Sequence, residues 1–417
     1  MTDHADIGSC FSESSVVLRT SDAYEYHLAA VSESAANANV YGVNRPCVFA
    51  SLPGFDVLRA FPPDIMHDVL EGVIPLTLKL VMRNIIDTCK CTVSDINKSL
   101  NSVKLTHPEN RPCQLSESIT RTDAHIAGSA IQKLELFLLF ARLIGTSVPE
   151  GDKVWQVYLN LRTVCDLILA PIIEKDDVVL LQHLIATYLS SFVEVFGAES
   201  VIPKMHYMVH YPRFISLLGP MRNYWCMRFE AKHQYFKRIA ASTKCFKNIT
   251  KTLAKRHQMR QSREMSGSEV LLSHDRVLSK SKHMKFAKLP EAVKESVSAS
   301  TGEDFADLED ITVVTHLAVD NIMYKADGVY VLGTVAEEVV PLFVNIKHIL
   351  SVRDSWILCG RLLTPCFFSS HFHAYLVTEE ESFILFRPGQ LADHSAHDSF
   401  LVNGCQYVSV RYCIAEH

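Results

Sequence analysis

The chain has 417 residues, of which 48% are apolar and 21% charged, and its formal net charge is −5. This composition is typical of globular domains, excludes a disordered or collagen-like chain, and at this length predicts two to three domains. The start of the chain lacks the basic and apolar regions of a secretory signal, and the 12 cysteines are irregularly spaced, so we expect reduced thiols and an intracellular location. No uncharged apolar run of about 18 residues occurs, so we expect no membrane span.

The residue pattern changes once within the first half of the chain. Residues 1–68 contain scattered Ser, Asn and Pro and predict an irregular segment, whereas residues 69–200 predict an all-helical block. Pro75 is expected in the first turns of its helix or at a kink, and the polar residues 92–115 predict a loop. Apolar residues recur at helical spacing in four segments: Asp68–Thr88, Ser116–Gly145, Lys153–Ala170 and Asp176–Phe196.

Three segments complete the predicted organisation. In residues 201–263, prolines and a Gly-Pro pair cut the first part into short pieces, and a basic helix follows Trp225. Residues 264–309 are rich in Ser and Lys and predict a linker with some helix. Residues 310–417 contain short β-branched or aromatic runs separated by Gly, Asp and Ser, which predict a β-rich C-terminal domain.

Charge is distributed unevenly along the chain. Residues 228–288 contain 16 Lys/Arg and 4 Asp/Glu, a net charge of +12, whereas residues 289–417 contain 7 Lys/Arg and 18 Asp/Glu, a net charge of −11. By charge alone, the basic block is either a solvated helical surface or a surface for the phosphates of a nucleic acid.

The first candidate site lies directly after Pro62 and Pro63. Asp64 and His67 are three residues apart and share a face if a helix begins here. A carboxylate and an imidazole so placed can bind a divalent metal, or one can orient the other. Alternatively, Asp64 caps the helix and His67 lies in its first turn, which stabilises the helix without any further function.

The second candidate site lies in the basic helix. Glu230, His233, Gln234 and Lys237 fall on one helical face. A carboxylate beside such a basic stripe can hold a metal next to phosphates, and the alternative is an ordinary salt-bridged surface helix.

Other patterns give weaker signals. His206 and His210 have the spacing of zinc ligands on a helix but lack the Glu of H-E-x-x-H, so they predict packing histidines and no metalloprotease. Cys89 and Cys91 form a C-x-C pair with no second pair, which predicts buried cysteine in place of a zinc site. The usual nucleotide-binding and hydrolase strings are absent from the sequence.

Two long strings resemble transposase-like animal proteins related to the CACTA/Chapaev cut-and-paste DNA transposases. They are PPDIMHDVLEGVIP and KMHYMVHYPRFISLLGPMRNYWCMRFEAKHQYFKRI, in the order expected for that group. Asp64 and His67 match the D-x-x-H motif of the superfamily, and Glu230 matches its late catalytic glutamate. The resemblance covers roughly residues 18–262.

The resemblance implies an α+β fold, in which a ribonuclease-H-like core is interrupted by the helical insertion and followed by the β-rich domain. Such cores use carboxylates to hold two Mg²⁺ ions, which activate water or a 3′-hydroxyl for the cutting and joining of DNA. Asp64, His67 and Glu230 would be the catalytic residues, and Asp64 and Glu230 would be metal ligands, with carboxylates within roughly 10 Å of each other. The residues expected to contact DNA phosphates are Arg228, Lys232, His233, Lys237, Arg238, Lys244 and Lys247.

The early catalytic aspartates of the superfamily have no match in this chain. Asp3, Asp6, Asp22 and Asp56 lie in no strand-like apolar run, and the C-x-x-C that often precedes D-x-x-H is missing. We therefore expect only a partial core, and a protein that neither cuts nor joins DNA because one set of metal ligands is missing.

Three functions follow from these observations. The first is a transposase-derived nuclear protein that binds DNA without catalysis. The second is an active DDE-type recombinase that uses Mg²⁺ and takes its first acids from the N-terminal residues. The third is a helical interaction scaffold with no nucleic-acid role. The expected partners are DNA and a second copy of the chain, with no membrane and no cofactor other than Mg²⁺ in the active case.

Overall fold

The computed structural model describes residues 11–89, 91–121, 124–266, 276–301, 310–320, 322–335, 340–352 and 355–414. The chain forms two compact units. The first unit comprises the residues up to Val103 and Glu109–Cys226, and the second comprises Lys104–Pro108 and Met227–His417. Helices account for 50% and strands for 22% of the described residues, which agrees with the α+β class.

The first unit is helical. Its helices are α1 (Ser21–Glu33), α2 (Asn37–Tyr41), a π-helix (Met66–Val73), α3 (Ile74–Thr88), α4 (Val93–Ser102), α5 (Ala130–Ile144), α6 (Lys153–Ile168), α7 (Lys175–Phe196), α8 (Pro203–Met208) and α9 (Tyr211–Leu218). Short 3₁₀ turns lie at Glu13–Ser15, Glu117–Thr120, Gly145–Ser147, Ala198–Ser200 and Met221–Asn223. The described part of residues 69–200 contains helices and no strand, in agreement with the predicted helical block. The block is interrupted, because only short 3₁₀ turns are described between Ser102 and Ala130 and Lys104–Pro108 belongs to the second unit.

Aromatic packing between α5 and α6 forms the centre of this unit. The Tyr158 ring lies 5.2 Å from that of Phe137 and 5.3 Å from that of Phe140, and the Trp155 ring lies 4.6 Å away at a tilt of 35°. The Tyr158 hydroxyl donates a hydrogen bond to the Phe137 carbonyl at 3.0 Å, so its polar end is satisfied inside the core. The apolar run from Leu134 is buried along almost its whole length, as predicted.

Helix α7 combines length with an apolar composition. In the part of the chain that the structure describes, it is the one helix long and apolar enough to cross a membrane on those two criteria. It packs against α6 and α9 through one stripe of buried residues: Leu181, Ile185, Tyr188, Leu189 and Phe192. Core helices of soluble proteins share this pattern, so α7 is weak evidence for a membrane span.

A buried hydrogen bond joins α3 to α7. The hydroxyls of Thr77 and Tyr188 lie 2.8 Å apart, and both residues are fully buried. We expect Tyr188→Phe to lower the free energy of unfolding by about 1–2 kcal/mol, because the Thr77 hydroxyl then stays buried without this partner. Urea unfolding measures the difference. Tyr207→Phe on the surface is the matched control, and an equal loss in both variants would contradict the prediction.

The second unit contains helices and all of the described strands. Its helices are α10 (Met227–Thr243), α11 (Ile249–Ser266) and α12 (Glu291–Thr301). Its strands are β1 (Arg276–Val277), β2 (Lys282–Lys285), β3 (Asp310–Val314), β4 (His316–Val319), β5 (Ile322–Lys325), β6 (Val329–Val335), β7 (Val340–Val352), β8 (Ser355–Ser369), β9 (Ala374–Phe386), β10 (Asp393–Val402) and β11 (Cys405–Ser409).

The large sheet closes on itself. The described strands pair in the order β2-β3-β7-β6-β10-β11-β9-β8, and β8 pairs again with β7. The pairings are antiparallel, so β6, β7, β8, β9, β11 and β10 form a closed ring, while β3 and β2 continue the sheet beside β7. Closure pairs strand edges that would otherwise be exposed. Val331, Phe343 and Leu363 are cross-strand neighbours in one buried cluster.

Two segments predicted to be irregular contain helices. Residues 1–68 include α1, whose first turn is capped by the Thr20 side chain, although no α1 residue is fully buried. The predicted loop 92–115 contains α4, which begins with a capping box between Thr92 and Asp95. Both corrections have the same cause: local capping supports helices whose apolar residues are too few to show a strong periodicity.

The predicted linker 264–309 is in part structural. Strand β2 pairs with β3 of the large sheet, and β1 pairs with β4, which pairs with β5 to form a second, three-stranded sheet. Its polar composition hides strands that lie at sheet edges, where their side chains are largely exposed. The β-rich C-terminal domain is confirmed, but its strands begin before residue 310.

The segments predicted to form the ribonuclease-H-like core differ in secondary structure from such a sheet. Within residues 11–68 and 201–263 the structure describes helices and turns, and no strand. The short pieces predicted after residue 201 are confirmed as α8 and α9, each with a proline in its first turn.

Candidate functional site

The D-x-x-H segment lies at the start of the π-helix. The Asp64 carboxylate accepts hydrogen bonds from the backbone N–H groups of Met66 at 3.3 Å and His67 at 3.4 Å, so it satisfies donors at the helix start. It also lies 2.5 Å from Nδ1 of His67. Asp64 therefore caps the helix and orients His67 at the same time, which combines two of the predicted alternatives. π-Helices are rare in proteins, and those that occur often lie at functional sites.

Cys226 joins this pair from a distant part of the chain. Its backbone N–H donates to Oδ1 of Asp64 at 2.9 Å. The donor atoms of Asp64, His67 and Cys226 all lie within 4.8 Å of one another. Sequence analysis did not single out Cys226, and the only local signal for it was its position just before the M-R-F-E string. We call these three residues the Asp64 cluster.

A second layer of contacts supports the Asp64 cluster. Lys204 Nζ donates to the His67 carbonyl oxygen at 2.7 Å, and its aliphatic chain lies against Gly72, where a Cβ would come within 2.4 Å of Cδ. The buried Tyr211 hydroxyl donates to Oδ2 of Asp68 at 3.4 Å. These contacts fix the backbone on which His67 is carried.

The two carboxylates of this region have opposite pKa shifts. Burial opposes ionisation of the Asp64 carboxyl, but hydrogen bonds from Cys226 and His67 outweigh it and lower the pKa. Burial and the neighbouring Asp64 carboxylate raise the pKa of Asp68 to about 6, although Lys204 and Tyr211 act in the opposite direction. Asp64 is therefore ionised near neutral pH, whereas the pKa of Asp68 lies closer to neutral pH.

The raised pKa of Asp68 predicts that ionisation of this carboxyl lowers the free energy of unfolding at neutral pH. In the unfolded chain this carboxyl has its ordinary pKa of 3.8, so the folded protein binds the proton more tightly and loses stability as pH rises from about 4 to above 6. Asp68→Asn removes that loss and keeps an acceptor for Tyr211. In metal-free protein we expect the variant to gain on the order of 2 kcal/mol at pH 7.5 relative to about pH 4.5.

Urea unfolding of both proteins at the two pH values measures this difference. Asp87→Asn, on the exposed side of α3, is the matched control and should show no such dependence. A gain for Asp68→Asn that is equal at both pH values would show that titration of Asp68 is not its cause.

Helices α10 and α11 form a hairpin, which we call the basic hairpin (Met227–Ser266). Tyr235 packs on the facing helix, with its ring 6.0 Å from that of His257 and the Arg260 guanidinium 4.9 Å from its centre. Lys244 and Asn248 have positive φ values of 51° and 56° in the turn between the helices. The half-buried residues therefore face the partner helix, and the charged residues lie on the outside.

All the predicted phosphate contacts are exposed on this hairpin and its turn. They are Arg228, Lys232, His233, Lys237, Arg238, Lys244 and Lys247. Glu230 is exposed on α10 as well. It belongs to the second unit and Asp64 belongs to the first, so their shared Mg²⁺ site stays a prediction.

The remaining candidate residues are packing residues in the structure. The rings of His206 and His210 lie 5.1 Å apart at 90°, and His210 Nδ1 lies 2.7 Å from the Glu13 carboxylate. Cys91 is buried as predicted, whereas Cys89, which follows the last residue of α3, is only half-buried. Among the described residues, neither pair belongs to a group of potential metal ligands, whereas the Asp64 cluster does.

Comparison with known proteins neither supports nor contradicts the resemblance to transposases. No protein-family model, no curated protein and no solved structure matches this chain.

Proposed function

We propose that this chain is a transposase-derived protein that binds duplex DNA through the basic hairpin without cutting it. The observation that carries this proposal is the exposure of every predicted phosphate-contacting residue on the hairpin and its turn. DNA phosphates attract such a surface whatever the base sequence, because binding releases condensed counterions.

The charge of the hairpin is high for its size. Residues 227–266 contain 11 Lys/Arg and 2 Asp/Glu. Helix α10 has 17 residues, so it is about 25 Å long and can follow several successive phosphates. Its half-buried face contacts α11, whereas its predicted phosphate-contacting side chains are exposed.

Full-length protein titrated with duplex DNA at increasing salt concentration tests this proposal. Binding to unrelated sequences with similar affinity, and a steep linear fall of log K with log salt, are expected. Absence of binding at about 50 mM salt would reject DNA binding and favour a helical interaction scaffold. A nuclear location belongs to the same proposal, and localisation of a tagged full-length chain tests it.

The absence of cutting is the second part of the proposal. A ribonuclease-H-like site needs carboxylates from its first strand. Within these 417 residues only Asp64 and Glu230 match metal ligands of such a site, and two carboxylates are too few for two octahedral Mg²⁺ ions. We expect no nicking of supercoiled DNA with Mg²⁺ or Mn²⁺, either by the full-length chain or by Glu230→Gln. Nicking that is lost in Glu230→Gln would overturn this part and establish the active recombinase.

A further inference from the structure

We infer that Asp64, His67 and Cys226 form a binding site for a thiophilic transition-metal ion of the zinc class. A carboxylate oxygen, an imidazole nitrogen and a thiol sulfur, all within 4.8 Å of one another, can surround one ion after small side-chain rotations. Zinc binds these three donor types at about 2.0–2.3 Å. Metal binding here does not require DNA binding, so the two can be tested separately.

The donor set selects the class of metal. Mg²⁺ prefers six oxygen ligands in octahedral geometry, and a site with one carboxylate, one imidazole and one thiolate does not provide them. Soft sulfur and borderline nitrogen ligands favour zinc and related ions. The ion inferred here therefore differs from the Mg²⁺ that the resemblance assigns to Asp64.

The ligands are held in place before any ion binds. Asp64 is fixed by the N–H groups of Met66 and Cys226 at 3.3 Å and 2.9 Å, and His67 is carried by a backbone whose carbonyl is bound by Lys204. The π-helix around His67 is anchored by residues that are 1% exposed or less: Ile65, Met66, Val69 and Leu70. Such support lowers the reorganisation needed for binding.

The site is open to solvent on one side. The His67 side chain is 48% exposed, whereas that of Asp64 is 19% exposed. Three protein ligands and an accessible fourth position for water match the arrangement of zinc sites that are not purely structural. Binding is expected to release protons, because the Cys226 thiol and the His67 nitrogen facing the ion must both be deprotonated.

Cobalt(II) is the probe for the test, because it replaces zinc and a thiolate ligand gives it a charge-transfer absorption band. Full-length protein is stripped with a chelator and titrated with Co²⁺. We expect one equivalent to bind, with a thiolate band and intense tetrahedral d–d bands, and one equivalent of Zn²⁺ to abolish them. Millimolar Mg²⁺ should leave the spectrum unchanged.

Three variants locate the site. Cys226→Ser should remove the thiolate band and keep the backbone bond to Asp64, and His67→Ala should weaken Co²⁺ binding at least tenfold. Cys245→Ser changes an exposed cysteine in the turn of the basic hairpin and should leave the spectrum unchanged. Circular dichroism confirms that each variant is folded. A thiolate band that persists in Cys226→Ser, or no saturable binding by the unaltered chain, would overturn the inference.

Discussion

Glutamine at Lys237, Arg238, Lys244 and Lys247 is expected to weaken duplex DNA binding by about 10- to 1000-fold at about 0.1 M salt. All four side chains are exposed, so the substitutions remove charge without opening a packed core. Each lost phosphate contact should reduce the slope of log K against log salt by about 0.9, and the loss should be similar for unrelated DNA sequences. Fluorescence anisotropy over a salt series measures both quantities.

A matched control separates the position of the charges from their number. Lys98, Lys104, Lys153 and Lys175 are exposed lysines outside the basic hairpin, and their replacement by glutamine removes the same charge. We expect this control to retain the slope and most of the affinity. Equal losses in the two quadruple variants would show that net charge, and not the hairpin, determines binding.

Asp393→Ala is expected to lower the free energy of unfolding by about 3 kcal/mol at pH 7, because it breaks a buried polar network. The Asp393 carboxylate accepts hydrogen bonds from His397 Nε2 at 3.1 Å, the Tyr412 hydroxyl at 3.0 Å and the Ser395 N–H at 2.9 Å. Nδ1 of His397 is buried and has no hydrogen-bond partner among the described residues, so this substitution leaves both ring nitrogens unpaired there.

The pH dependence of this loss has a defined sign. Burial opposes ionisation of Asp393, but the hydrogen bonds from His397, Ser395 and Tyr412 outweigh it and lower the pKa below 3.8. The network therefore stabilises the fold above that value, and its contribution is lost as pH falls through the lower folded pKa. Guanidinium unfolding at pH 7 and about pH 3 should give a smaller difference between Asp393→Ala and the unaltered chain at the lower pH.

An exposed acid of the same closed sheet supplies the control for this prediction. Glu381 lies on β9 with its side chain exposed, and we expect Glu381→Ala to change stability by less than about 0.5 kcal/mol. A comparable loss in both variants would show that Asp393 contributes no more than an ordinary surface charge.

The sequence predicts the fold best where a helix buries a continuous stripe. Helices α6 and α7 were predicted within two residues of their ends, because their apolar periodicity extends over several turns. Strand β10 was not predicted, because its first half, with Asp393 and His397, is polar and forms an internal network instead of an apolar face. Strand β9 contains two apolar runs, AYLV and SFILF, which its acidic and largely exposed middle separates, so the sequence alone indicates two strands where the structure has one.

The candidate site shows the same limit at a smaller scale. The pairing of Asp64 with His67 was predictable, because their spacing places them on one helical face. Cys226 lies 162 residues after Asp64, and no local pattern indicates that the fold brings them together. For the basic hairpin, the charged residues could be predicted from the sequence. Which of its sides is exposed could not, because that depends on the packing of Tyr235 against the second helix.

The short segment Lys104–Pro108 has a consequence for how the protein is made. It belongs to the second unit, where the Thr106 hydroxyl donates to the Asp398 carboxylate at 2.6 Å and the Thr106 carbonyl accepts from Lys325 Nζ at 2.5 Å. During synthesis Thr106 leaves the ribosome 292 residues before Asp398. The hydrogen bond between them therefore cannot form until most of the second unit has been made. A C-terminal fragment expressed alone would lack the segment and leave Asp398 without the Thr106 hydroxyl, because neither unit is one continuous stretch of the chain.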